Sequence, residues 1–164
     1  MTVNEREQIL RLLEKNSRLG VADIAVALGM QEEAVAAAVA QLEAEDIICG
    51  YRTVINWAKE KKDDVTALVE LRVTPQGGEG YNRIAREIGE YPQVETLYLM
   101  SGAYDFLVTL KGGSLRELSL FISDKLASIE EVQSTTTHFI LTKYKELGVS
   151  LTCHKVDGRM VVTP

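Results

Sequence analysis

Apolar residues recur three and four apart in three short stretches near the start of the chain, and further on the spacing changes to alternation. Residues 4–15 (NEREQILRLLEK) place Ile9, Leu10, Leu12 and Leu13 mainly along one side of a helix. Asn4 is the expected N-cap, with Glu7 three positions on as its capping-box partner. The polar segment Asn16-Ser17-Arg18-Leu19-Gly20 predicts a turn. A second helix is expected over 21–28, with Ile24, Ala25 and Leu28 inward and Gly29 as its stop. A third is expected over 31–45, where Val35, Val39 and Leu42 are spaced four and three apart. Three short helices joined by tight turns have the layout of a helix-turn-helix, and 47–54 after them predicts a short strand or wing.

Between 55 and 64 a charge cluster without apolar periodicity reads as a linker. Beyond it, 65–73 alternates as a strand should, and Pro75 with Gly77, Gly78 and Gly80 marks its exit. Ile84, Ala85 and Ile88 give 81–89 a helical face, and 94–101 and 106–111 read as two strands around the tight segment 101–105. Ser114 is the expected cap of a helix through about Leu126, with a broad apolar face of Leu115, Leu118, Leu120, Phe121, Ile122 and Leu126. A long strand over 132–144 follows, then another over 149–156, turned back on 159–162 by the hairpin pair Asp157-Gly158. Strand-helix-strand-strand-helix-strand is the ferredoxin-like βαββαβ order. The expected class is therefore α+β: a winged helix-turn-helix head over 1–54, a linker over 55–64, a ferredoxin-like domain over 65–152, and an extension over 153–164. A sheet with helices on one face needs cover on the other, and a second copy of the chain is the natural cover.

Composition narrows this picture. No apolar run approaches a membrane span, and Glu5, Glu7 and Glu14 stand where a signal peptide needs a basic start and an apolar block, so a cytoplasmic protein is expected. Cys49 and Cys153 have no CxxC partner, and neither metal, redox nor cofactor chemistry is expected. A net charge of −6 argues against non-specific nucleic-acid binding, leaving only a local basic surface for contact with DNA.

Several segments together are specific. Ile9-Leu10, then Leu13 to Arg18, Ile24-Ala25, and Leu42-Glu43 ahead of 47–51 stand in the first part. In the second are Leu99 to Phe106 (LMSGAYDF), then Val132 with Thr135 and Thr137, and the run Leu141 to Lys145. Over about residues 5–152 the chain resembles the Lrp/AsnC family of feast/famine regulators. The resemblance implies a DNA-binding regulator, not an enzyme, with a second domain of the RAM or ACT kind that senses an amino acid. It also implies a homodimer assembling to a tetramer or octamer, with the effector held between dimers by the glycine turn and the threonine strand.

The third helix would lie in the major groove of double-stranded DNA, so Gln31, Glu32, Glu33, Ala34, Ala37, Ala38 and Gln41 are its expected contact positions. It holds no Lys or Arg, although family members usually carry an arginine near the places of Ala38 and Val39. Glu32 and Glu33 suit the helix dipole and can accept from cytosine N4, but they neutralise no phosphate. Arg18, Arg52, Lys59, Lys61 and Lys62 remain for that.

An amino acid presents an ammonium and a carboxylate. Asp105 is the expected acceptor for the first, and the amides around Ser101, Gly102 and Ala103 the donors for the second, approached closely because Gly102 has no side chain. Thr135 and Thr137, two apart on a strand, add hydroxyls on one face, and Met100 and Tyr104 line the side-chain part. Two other readings compete. An acidic third helix suits a ligand-binding or co-assembling partner with weakened DNA affinity. Some proteins of this two-domain build are tetrapyrrole decarboxylases that use histidines and arginines, and His138 and His154 are the only histidines available.

Overall fold

Helices α1 (Val3–Lys15), α2 (Val21–Leu28) and α3 (Glu32–Ala44) close over one small apolar centre. The computed structural model describes residues 2–60, 64–75 and 80–152, and the chain divides into two compact units, Met1–Ile55 and Asn56–Pro164. In the first unit the buried set is Ile9 and Leu13, Ile24 and Ala25, and Val35, Ala38 and Leu42. Each fully buried Ile or Leu there contributes about 1.5–3 kcal/mol. The cap of α1 is Thr2, not Asn4. Thr2 Oγ1 accepts from the Glu5 amide at 3.3 Å, and Glu5 Oε2 accepts from the Thr2 amide at 2.6 Å. Asn4 lies inside the helix, and Glu7 pairs with Arg11 one turn on at 2.6 Å. The sequence offers two capping boxes two residues apart, and the earlier one adds helical hydrogen bonds at no apolar cost.

Gly29 closes α2 in the left-handed conformation, φ 65°, with the Met30 amide reaching back to Ala25 O at 2.9 Å. After α3 the chain turns at Asp46, φ 54°, and the amides of Ile47 and Ile48 both donate to Leu42 O. Residues 47–54 form no strand. A wing needs a second strand to pair with, and none lies among the described residues of this unit; Ile48 packs on the helical core instead.

The second unit carries strands β1 (Val65–Val73), β2 (Val94–Leu99), β3 (Phe106–Gly112) and β4 (Val132–Phe139), with helices α4 (Gly80–Gly89) and α5 (Leu115–Phe121). All pairings are antiparallel and the order is β2-β3-β1-β4, the ferredoxin-like arrangement. Register decides the faces. Ala67, Val69 and Leu71 stand opposite Leu110, Val108 and Phe106 and join Ile84, Ile88, Leu118, Phe121 and Leu126 in the core. The alternate positions, Leu68, Glu70 and Arg72 with Leu107, Thr109, Ser134, Thr136 and His138, lie on the other face. Near one end Lys111 approaches the Trp57 ring, 5.3 Å from its centroid, from a single 3-10 turn at Trp57–Lys59.

Three expectations are corrected in this unit. Strand β4 stops at Phe139 rather than Tyr144, because β1 begins at Val65 and the last bond it offers, from the Ile140 amide to Thr66 O, is already used. The chain then makes its own hairpin, β5 (Lys145–Glu146) with β6 (Val149–Ser150), turned by Leu147 and Gly148 at φ 43° and 81°. The hairpin expected at Asp157-Gly158 lies outside the described residues. Ser114 does cap α5, accepting from the Glu117 amide at 3.1 Å, but the helix becomes a π-turn over Ile122–Leu126, with the Ala127 amide reaching Ile122 O five residues back. That extra residue per turn keeps Phe121, Ile122 and Leu126 inward and leaves Leu115 and Leu120 exposed.

Candidate effector and DNA sites

The segment between β2 and β3 is a closed turn. The Met100 amide donates to Asp105 O at 2.7 Å, and the Asp105 amide donates to Leu71 O at 2.9 Å, extending both ladders to its base. The Asp105 side chain does more than accept from a ligand. Its Oδ2 takes the Val73 amide at 2.9 Å, a donor that β3 no longer reaches, and its Oδ1 takes the Tyr81 hydroxyl at 3.2 Å. Asp105 therefore fixes the exit of β1 and the start of α4 to the turn. Tyr81 stands edge-on to the buried Phe106, ring centroids 5.9 Å apart. Its hydroxyl is held above the ordinary phenol value, first by the bond to Asp105, then by burial and the carboxylate charge.

The rest of the turn is open. Ser101, Gly102 and Ala103 are exposed, and among the described residues their amides make no hydrogen bond. No heavy atom lies within 4 Å of where a Cβ on Gly102 would stand. The fold itself does not need a glycine there. Contrast Gly80, where a Cβ would stand 2.4 Å from Pro75 Cβ. Met100 and Tyr104 flank the open amides, the first exposed and the second half-buried.

Thr135 pairs with Leu71, the residue whose carbonyl takes the Asp105 amide on the other side, so Thr135 and the turn share one end of the sheet about 10 Å apart. Thr137 pairs with Val69, two residues deeper. Both threonines share a face, as their spacing requires, but it is the helix-covered face, and the buried Leu71 stands between them and the turn. Within one chain the structure joins Asp105, Tyr81 and Val73 at the turn and leaves Thr137 apart. Tyr81 escaped the sequence reading because nothing marks it beyond its place at a helix start.

In the head, Gln31, Glu32, Glu33, Ala34, Ala37 and Gln41 are exposed on α3. Ala38 is not: it is 3% exposed and packs with Val35 and Leu42, so it is withdrawn as a DNA contact. Gln41 donates to Glu45 Oε1 at 2.6 Å, and Glu45 also pairs with Arg6, whose guanidinium holds that carboxyl below the usual carboxylate range. Tyr51 donates to Glu43 at 2.8 Å. Burial, then Glu43, raises the phenol above its ordinary value. Arg18 is exposed at the α1–α2 turn, and Ser17 Oγ donates to Arg52 O at 3.4 Å, so two basic residues far apart in sequence stand on neighbouring segments. The head as a whole has five basic residues against nine acidic ones. Lys59 lies in the 3-10 turn of the second unit, and Lys61 and Lys62 lie outside the described residues.

The model of the AsnC-type helix-turn-helix domain matches residues 7–43, and that of the Lrp/AsnC ligand binding domain matches residues 66–149, more than half of the chain. The chain belongs to the Lrp/AsnC family. Among relatives, the HTH-type transcriptional regulator YugG of Bacillus subtilis is 40% identical over all of both chains. Two solved regulators share the fold. One, an AsnC family transcriptional regulator from Agrobacterium tumefaciens, is 25% identical, with a TM-score of 0.68 over 89% of this chain and 94% of that one. The other, from Neisseria meningitidis and in complex with L-Met, is 19% identical, with a TM-score of 0.70 over the same shares. This Lrp/AsnC protein is an effector-responsive, DNA-binding transcriptional regulator. No helix among its described residues is long and apolar enough to cross a membrane.

Proposed function

We propose that this regulator senses an amino acid at the turn 100–105 and acts as an oligomer on double-stranded DNA in the cytoplasm. One observation carries the sensing claim. Three neighbouring amides at Ser101, Gly102 and Ala103 have no partner among the described residues and stand beside a carboxylate fixed at Asp105, under open space at Gly102. Donors for a carboxylate and an acceptor for an ammonium, one turn apart, match the two charges of an amino acid. The Neisseria meningitidis relative in fold was solved with L-Met, which favours the same class. Met100 and Tyr104 border the effector side chain, Thr135 adds a hydroxyl at the same sheet end, and Thr137 stands deeper along that face.

The sheet face opposite the helices supports assembly. Leu68 and Leu107 stand there half-buried, and Tyr98, Leu99 and Met100 run exposed along the edge strand β2. A second copy covering the sheet, and further copies meeting at β2 and the turn, would bury them, giving a dimer that builds to a tetramer or octamer. Several heads in one particle compensate for weak single ones by effective concentration. On DNA, Arg18 and Arg52 supply phosphate contact, while Gln31, Glu32, Glu33, Ala34, Ala37 and Gln41 face the groove.

The acidic face of α3 favours a second reading, a family member that binds ligand and co-assembles with a DNA-binding partner. A band-shift series on the chain's own upstream DNA separates the two. Retardation at low salt that weakens steeply as salt rises, and weakens throughout in Arg18→Ala, supports the chain's own DNA contact; no retardation at low salt supports the partner reading. His138 faces Glu70 at 3.2 Å on the sheet face opposite the helices, and the relatives are named as regulators, so the tetrapyrrole reading gains no support. A thermal-shift screen against the twenty amino acids tests the sensor and names its effector.

A further inference from the structure

Asp105 carries the proposed acceptor role, yet both of its oxygens already serve the fold. Oδ2 holds the Val73 amide, a backbone donor at the end of β1 that nothing else reaches. Oδ1 holds only a side chain, the Tyr81 hydroxyl at 3.2 Å, a longer and less committed contact than the 2.9 Å bond of its partner oxygen. We propose that Tyr81 is a further effector-site residue, whose hydroxyl competes with the effector's ammonium for Oδ1 of Asp105. This rests on the amino-acid reading of the turn.

The geometry suits an exchange of donors. Tyr81 is the second residue of α4, 37% exposed, and its ring packs in a T-shaped pair with Phe106. The hydroxyl can leave Asp105 without unpacking the ring, because Tyr OH and ring contacts lie at opposite ends of the side chain. A phenol offers the carboxylate one dipolar donor, whereas an ammonium brings a full positive charge and makes an ion pair with it, so the ammonium displaces the hydroxyl. The exchange also unties α4 from the turn. Gly80, immediately before Tyr81, is pressed on Pro75 at the exit of β1, so the helix start has one fixed contact and one exchangeable one. An acid without the α-amino group has no donor with which to displace Tyr81. The site therefore selects compounds with an α-ammonium over their deaminated analogues.

The test is calorimetric titration of the full chain, parent beside Tyr81→Phe, with the proteinogenic L-amino acids one at a time and then with the deaminated analogue of each that binds. Phenylalanine keeps the ring on Phe106 and removes the competitor. The expected result is amino-acid binding about three- to tenfold tighter in Y81F, the equivalent of one exposed hydrogen bond no longer displaced, with no gain for the deaminated analogue. Equal or weaker amino-acid binding in Y81F, when the parent binds, overturns the role of Tyr81 and leaves the sensing turn intact. A parent that binds none of the amino acids overturns the sensing turn itself, and this inference with it. A second readout needs no substitution. Released from Asp105 and set near an ammonium, one tyrosine ionises at lower pH in the parent's ultraviolet difference titration when the binding amino acid is present; an unchanged tyrosine titration counts against the exchange.

Discussion

Ala37 and Ala38 are neighbours of identical chemistry on α3, and the helix turns them to different fates: one is exposed, the other 3% exposed against Val35 and Leu42. Ala38→Glu buries a charge with no partner and is expected to cost about 3 kcal/mol or more, read as a fall in the head's melting temperature. Ala37→Lys leaves the melting temperature unchanged and steepens the salt dependence of DNA binding by close to one unit, about the value of one phosphate contact. Glycines divide in the same way. Gly80→Ala drives a methyl into Pro75 and costs about 1–3 kcal/mol in thermal unfolding, because the close atoms include backbone and a rigid ring that cannot swing aside. At Gly102 the same methyl meets no described residue beyond its chain neighbours.

Elements are held by local devices whose loss is measurable. Ser114→Ala removes the oxygen that takes the Glu117 amide and lowers stability by about 1 kcal/mol, in a chemical-denaturation midpoint with unchanged slope. Arg83 on α4 pairs with Glu131, just before β4, and also with Glu87 at 3.3 Å. The Arg83 hydrogen bond holds the Glu131 carboxyl below the usual carboxylate range. A carboxyl lowered in the folded state adds stability above its unfolded value, about 4.3, and loses it as pH falls through the lowered folded value. The melting-temperature difference between parent and Arg83→Met is therefore largest near neutral pH and shrinks as pH drops below about 4. What was legible at this scale followed periodicity: the three helices of the head, the bounds of β1, the Gly29 stop and the Ser114 cap all stand on local patterns. The misreadings share one cause. The wing over 47–54 and the tail of β4 have strand-like composition, but a strand exists only where another strand offers its edge, and that is a property of the whole sheet. Tyr81 was unreadable for a similar reason, since 24 residues of chain separate it from the Asp105 that gives it meaning.

For the whole molecule, charge and surface divide the labour between the two units. The head has more acidic than basic residues, and under the proposed function it would contact DNA through Arg18 and Arg52 and draw its strength from assembly. The second unit carries the sheet face opposite its helices and the open turn, to which the proposed function assigns assembly and the effector. Under that proposal, effector binding beside surfaces that join copies would couple the ligand to particle size by about 1–3 kcal/mol, enough to change the spacing of heads on DNA. The most direct measurement of this account is a thermal-shift series on the full chain against the twenty amino acids, with Gly102→Val beside the parent. The account predicts that at least one amino acid raises the parent's midpoint, and that the valine variant melts with the parent when no amino acid is added and fails to rise when one is. A parent unmoved by every amino acid, or a valine variant that responds as the parent does, would contradict it.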